Sequence, residues 1–202
     1  MKTITDISQL DLNKQYTYAD YLTWQFNERV ELIKGWIYKM SPAPKTKHQS
    51  ASGEIFYVIK HFINQHNKKC KIFDAPFDVR LIKNKGRKDK EIDTVVQPDI
   101  CIICDKEKLD DAGCIGAPDL IVEILSDSTA KKDYNEKFNL YEENKVKEYW
   151  IVNPETNNIE IFSLNDDRFV SLGLFNEREG TETVQGNLFP ELQIELKTIF
   201  ST

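Results

Sequence analysis

Leu120-Ile121-Val122-Glu123-Ile124-Leu125 is an apolar, β-favouring run broken by one carboxylate. Its length and its content of branched residues read as a buried strand. An ionised carboxylate buried there alone costs several kcal/mol, so Glu123 has to bind a proton, meet a cationic side chain or hold a metal. Upstream, Gln97-Pro98-Asp99-Ile100-Cys101-Ile102-Ile103 has the same character, with Asp99 at the mouth of a second apolar strand. Two strands carrying one acid each suggest a site for a divalent cation.

The flanking segments predict a mixed architecture. Thr17-Tyr18-Ala19-Asp20 has the form of a capping box, with a short helix expected to about Asn27. Val30 to Met40 alternates around Lys34-Gly35 and predicts a β-hairpin. Ser41-Pro42-Ala43-Pro44 predicts a rigid loop. Ile55, Val58, Ile59, Phe62 and Ile63 recur at helical spacing, giving an amphipathic helix over about 46–66. Strands are expected at 71–74, 77–82, 97–104 and 119–125, then 148–153, 159–164, 169–172 and 193–196. A helix capped near Ser126 or Ser128 is expected to run to about Asn144. The fold class is therefore α/β in the broad sense (α+β, with a central mixed sheet flanked by helices), with an N-terminal helix and a β-hairpin.

A chain of 202 residues, 40% hydrophobic and 30% charged, fits one globular domain over 1–202. No apolar run approaches the ~18 residues that span a bilayer, and the N-terminus lacks the apolar core of a signal peptide, so no membrane partner and a cytoplasmic location are expected. A net charge of −6 argues against binding nucleic acid over the whole surface. It leaves room for local basic clusters, of which Lys83, Lys85, Arg87, Lys88 and Lys90 form one and Lys45, Lys47 and His48 another. Four cysteines make no disulfide framework. Cys101 and Cys104, three apart on a strand, point to opposite faces and do not share a zinc ion, so free thiols are expected.

The helix after Glu123 carries a further signal. At 100° per residue, Ala130, Tyr134, Phe138 and Tyr141 form its apolar stripe, and Lys137 falls roughly 60° from Tyr134, inside the stripe. A lysine on a core-facing stripe snorkels or meets a carboxylate. The helix can fold back over the sheet and bring Lys137 towards Asp99 and Glu123. Two carboxylates holding a hard cation beside a lysine suit phosphodiester hydrolysis. Plainer readings stay open: Glu123 as half of a structural ion pair, Lys137 as an i,i+4 partner of Asp133, Glu31 on the polar face of the hairpin, His48 as a surface or capping residue. Asp119 reads as a strand entrance, and Tyr149 and Trp150 as packing.

These residues resemble a known family. Gln97-Pro98-Asp99 followed by Gly116-Ala117-Pro118-Asp119-Leu120-Ile121-Val122-Glu123-Ile124-Leu125-Ser126 is similar to the PD-(D/E)XK nuclease superfamily, and more narrowly to the Uma-type restriction-endonuclease-like family of bacteria. Arg29 to Gly35, Ser41-Pro42 with His48, Asp133 with Lys137 and Tyr141, and Glu148 to Val152 extend the likeness over nearly the whole chain. The resemblance implies a restriction-endonuclease-like core and a site using Mg2+ or Mn2+. Asp99 and Glu123 would be metal ligands, joined by the backbone carbonyl of Ile124. Lys137 would be the catalytic lysine and Glu31 an acid from an earlier element, with His48 and Gln97 accessory. The superfamily lysine normally follows the glutamate by two residues. Here that position is Leu125, and Lys137 matches a lysine relocated to the helix. The expected function is a metal-dependent endonuclease cutting DNA as a homodimer. The alternative is a catalytically inactive nuclease-fold module that binds nucleic acid or protein, and a phosphodiesterase for RNA or a small nucleotide is a third reading.

Overall fold

The strand around Glu123 forms as expected, and the architecture is best followed from it. In the computed structural model, residues 3–40, 43–82, 88–126, 130–176 and 180–201 are described. The predicted Ser41-Pro42 turn, Lys83, Lys85, Arg87 and the Ser128 cap lie outside them. The strands are β1 (Val30–Ile33), β2 (Trp36–Lys39), β3 (Lys71–Asp74), β4 (Val79–Arg80), β5 (Val95–Val96), β6 (Ile100–Ile103) and β7 (Leu109–Asp110). They continue with β8 (Gly113–Ile115), β9 (Leu120–Ile124), β10 (Glu148–Asn153), β11 (Asn158–Asn165), β12 (Arg168–Asn176), β13 (Thr183–Val184) and β14 (Ile194–Glu195). The helices are α1 (Tyr18–Tyr21), α2 (Thr46–Gln65), α3 (Ala130–Lys132), α4 (Phe138–Glu143) and α5 (Leu196–Ile199), with a π turn over Asp133–Lys137 joining α3 to α4.

One six-stranded sheet has the order β12-β11-β10-β9-β6-β3. Its β9–β10 pair is parallel and its other pairs are antiparallel, so it is mixed. The even-numbered residues Ile100, Ile102, Leu120, Val122 and Ile124 pack against Ala51, Ile55 and Ile59 of α2 and Leu196 and Ile199 of α5. The odd ones, Cys101, Ile103, Ile121, Tyr149 and Ile151, meet Leu140 and Tyr141 of α4 and Ile33, Val79 and Val96. This is the period-two alternation of a sheet covered on both faces. The last three residues come from a second six-stranded sheet, β2-β1-β5-β4-β8-β7. The far side of that sheet is closed by Leu10, Tyr16 and Tyr18 from the N-terminal segment, packed on Leu32 and Val95.

Three local expectations change. The first helix stops at Tyr21 because tertiary pairing claims the following backbone: Ile4 N–H donates to Thr23 O (3.0 Å) and Gln25 N–H to Ile4 O (2.7 Å). Tyr16, Tyr21, Trp24 and Phe26 then stack as a ring cluster. Tyr134, placed on the apolar stripe by a uniform 100° step, is exposed, while Asp133 and Lys137 are buried. The π turn holds an extra residue and rotates the faces of α3 and α4 relative to each other. The four cysteines are not all free thiols: Cys70 and Cys104 form a disulfide, and only Cys101 and Cys114 are free and buried. Cys104 lies one residue past β6, opposite the segment that enters β3, and there the two side chains meet.

Candidate active site

The side chains singled out by the sequence converge at the carboxyl end of β9. In the register of β6 and β9, Ile100 faces Val122, so Asp99 and Glu123 are the next opposed pair. At this end of the sheet the hairpin strand β1 and the π turn come up on the odd-residue face, and the first turn of α2, which packs on the other face, brings His48 to the rim. Glu31 is fully buried, which settles the hairpin alternative: β1 is covered on both faces, and Glu31 shares the inward face of Ile33.

Lys137 lies at the centre. Its Nζ is 2.7 Å from Glu123 Oε1, 2.9 Å from Glu31 Oε1 and 3.8 Å from Asp133 Oδ1. Burial by itself would discharge this ammonium; the carboxylates around it outweigh burial and hold its pKa well above the ordinary lysine value. Tyr141 donates its hydroxyl to Glu123 Oε1 at 2.6 Å. Gln97 donates its backbone N–H to Glu31 Oε1 at 3.1 Å, while its side chain turns towards Asp78 and Arg29. Asp99 Oδ2 accepts the backbone N–H of Ile124 (2.7 Å) and lies 3.4 Å from His48 Nε2. Burial lowers the proton affinity of His48, but Asp99 and the Ile124 backbone more than compensate, so its pKa is raised. Every candidate residue is therefore in one neighbourhood, Gln97 through its backbone and Ile124 through its peptide groups.

One member was not singled out from the sequence. Lys132 Nζ lies 2.6 Å from Glu31 Oε2 and covers the second oxygen of that carboxylate. A lysine in a helical run of charged residues carries no signal of its own. Its role follows from the π turn, which lets Lys132 and Lys137 reach the same glutamate. Asp119 is buried at the strand entrance as expected, accepting the Cys104 N–H (2.7 Å) and pairing with Lys147 (2.7 Å). Tyr149 and Trp150 are core residues.

The charges are unevenly shared. Burial opposes the charge of Glu31, but Lys137 and Lys132 overcome it and hold its carboxyl low, at about 2. Glu123 has only a share of Lys137; burial, with Asp133, Asp99 and Glu31 nearby, pushes it up to about 8. The pair titrates as a unit, with Glu31 keeping its charge and Glu123 taking up the proton. Four carboxylates against two ammoniums leave the Glu123 end short of positive charge. Among the described residues, Glu123 Oε2 and Asp99 Oδ1 accept no hydrogen bond. Hard oxygen donors in an acid-rich cluster suit Mg2+ or Mn2+. No three His, Cys, Asp or Glu side chains among the described residues form a ready cation cage. Two carboxylates and a backbone carbonyl still fit an ion that keeps several of its waters.

Comparisons with known proteins agree with this architecture. Residues 18–197 match the model of the Uma2 family, described as "Putative restriction endonuclease". The crystal structure of "a putative nuclease belonging to DUF820" from Anabaena variabilis superposes with a TM-score of 0.69 at 20% identity, covering 92% of this chain and 98% of that one, a likeness of fold. "Uncharacterized protein slr1290" of Synechocystis sp. is 26% identical over 151 residues, 73% of this chain and 74% of its own. No helix among the described residues is long and apolar enough to cross a membrane. With its mixed sheets flanked by helices, and a family match over nearly all of its length, the chain belongs to the Uma2 restriction-endonuclease-like family, whose description supports a nuclease-like function.

Proposed function

We propose that the protein is a Mg2+- or Mn2+-dependent endonuclease that hydrolyses phosphodiester bonds in DNA. The observation that carries this reading is Lys137 clamped between Glu31 and Glu123 beside Asp99, at the end of one strand. Asp99, Glu123 and the Ile124 carbonyl are the groups that would hold the ion. When bound, it supplies polarisation of a phosphoryl oxygen and a more acidic water.

The chain's own residues do the rest. Tyr141 and Lys137 occupy Glu123 Oε1 and so turn Oε2 towards the site. The Ile124 N–H fixes Asp99 through Oδ2 and leaves Oδ1 available. Glu31 holds the Lys137 ammonium in place and, through Lys132, keeps its own charge. Lys137 thereby stays protonated, able to stabilise charge developing on the phosphoryl oxygens or to orient the attacking water. His48, with Nε2 3.4 Å from Asp99 Oδ2, can hold or release a proton at the rim. Cutting two strands is simplest for a twofold dimer, so a homodimer is part of the reading.

The test is cleavage of supercoiled plasmid with Mg2+ or Mn2+ by wild type, Glu123→Gln and Lys137→Met, with urea unfolding to verify that each variant is folded. The reading expects both folded variants to lose at least a hundredfold in rate. Equal cleavage by all three would remove these assignments. A second reading, an inactive nuclease-fold module, draws on the depth of Lys137: it is 3% exposed and engaged by carboxylates on both sides, as in a purely structural cluster. DNA binding without cleavage by wild type under any divalent ion would favour that module.

A further inference from the structure

A cavity of about 200 Å3 at the far end of α2 is lined by five lysines, Lys60, Lys68, Lys69, Lys71 and Lys106, together with Asn64. This concentration is unexpected in a chain with 33 acidic and 27 basic residues. Among the described residues, only Lys68 of the five has a carboxylate partner, Glu191 at 3.3 Å. Lys60 lies over the Phe56 ring. Among the described residues, Lys69, Lys71 and Lys106 form no ion pair, and all three are exposed. They come from two stretches: the turn after α2 that runs into the first residue of β3, and the turn after β6. Lys68, Lys69 and Lys71 are already neighbours in sequence, the fold adds Lys60 and Lys106 to them, and no acid among the described residues lines the cavity. Like charges left close together without partners are poised for a polyanion.

The position of the cavity suggests which one. His48, in the first turn of α2, belongs to the candidate active site, and Asn64 lies in the last turn of the same helix. Sixteen residues of helix span about 24 Å at 1.5 Å per residue. Asp99 and Lys71 are likewise at opposite ends of the β3–β6 pair. A duplex with one phosphate per ~3.4 Å on each strand covers 24 Å in roughly seven base pairs. We propose that the lysine-lined cavity grips the sugar–phosphate backbone of the nucleic-acid substrate within about one helical turn of the bond to be cut. This rests on the nuclease reading for the identity of the polyanion. Asn64 adds an amide donor, and the ammoniums act as phosphate contacts that position the duplex and carry no sequence preference.

The test compares wild type, the triple variant Lys69→Gln/Lys71→Gln/Lys106→Gln, and a control with three neutralised lysines elsewhere, Lys14→Gln/Lys145→Gln/Lys197→Gln. Binding of a labelled 20-base-pair duplex is measured by fluorescence anisotropy with Ca2+ over a range of salt, and plasmid cleavage is measured in parallel with Mg2+. The expected result is at least a tenfold loss of affinity in the first variant. Its log–log salt slope should be shallower by about two to three, since each lost phosphate contact removes ~0.9. The control should stay near wild type. Wild-type affinity and slope in the first variant overturn the proposal, even if plasmid is cut. Loss of affinity for inorganic pyrophosphate with no change for duplex also overturns it, in favour of a small-anion site. If duplex binding depends on these lysines but nothing is cleaved, the grip stands and the nuclease reading falls.

Discussion

At the scale of single residues, one ammonium, that of Lys137, is divided unevenly between two buried acids. Glu31 also has Lys132 and keeps its charge, whereas Glu123 does not and is pushed up to about 8. The sign of the linkage follows. A carboxyl raised in the fold binds its proton more tightly folded than unfolded, so stability falls as pH rises from the ordinary value of 4.5 to about 8 and then levels off. Glu31, held low at about 2, acts the other way and only in acid: its contribution is present above 4.5 and is lost as pH falls towards 2. Thermal melts of the metal-free protein should therefore lose stability between pH 4.5 and 8, and Glu123→Gln should flatten that decline. Parallel melting curves for wild type and variant across this range would show that Glu123 is not the group responsible.

At the scale of elements, the long pieces were legible and the short ones were not. Alternation around Lys34-Gly35 gives the hairpin, and the structure supplies the reason: Lys34 (φ 51°) and Gly35 (φ 84°) both take the left-handed conformation of a tight hairpin turn. The apolar run of β9 and the spacing of Ile55, Ile59 and Phe62 are equally direct. Half of the second sheet was hidden: β5 and β7 have two residues each and β8 three, too few for a period to show, whereas β1, β2 and β4 fall within the expected hairpin and the expected strand 77–82. The π turn was hidden because a uniform helical step cannot register one extra residue. It misplaced Tyr134 while still putting Lys137 inside. The Cys70–Cys104 bond joins residues 34 apart that only the β3–β6 pairing brings together. One of the short elements bears on the site. Gly113 in β8 has φ 125°, and a Cβ there would overlap the carbonyl of Asp78, the residue whose carboxylate holds the Gln97 side chain. Gly113→Ala should cost roughly 2–4 kcal/mol, from strain plus overlap. Urea unfolding measures it, and a loss below about 1 kcal/mol would mean that the β7–β8 hairpin yields freely.

At the scale of the whole molecule, two sheets and two helices meet at the carboxyl end of β9, and the candidate site is the place where all of them contribute. The acids come from β1, β6's entrance, β9 and the π turn, the lysines from α3 and that same turn, and the histidine from α2. That convergence explains why the sequence showed the individual parts but not Lys132, which matters only once β1 lies beside the helix. Under the proposed endonuclease reading, cutting both strands calls for two copies, and light scattering should return twice the 23.5 kDa chain mass; a single chain mass would contradict the dimer. The central claim is that the Asp99–Glu123 end of the cluster is built for a divalent cation. Calorimetric titration of Mn2+ into the protein at pH 7, repeated in two buffers of different ionisation heat, tests it most directly. The expected result is one site with release of close to one proton per ion, because Glu123 must give up its proton to bind, and loss of both in Glu123→Gln. No binding by wild type, or the same heat and proton release from Glu123→Gln, would contradict it.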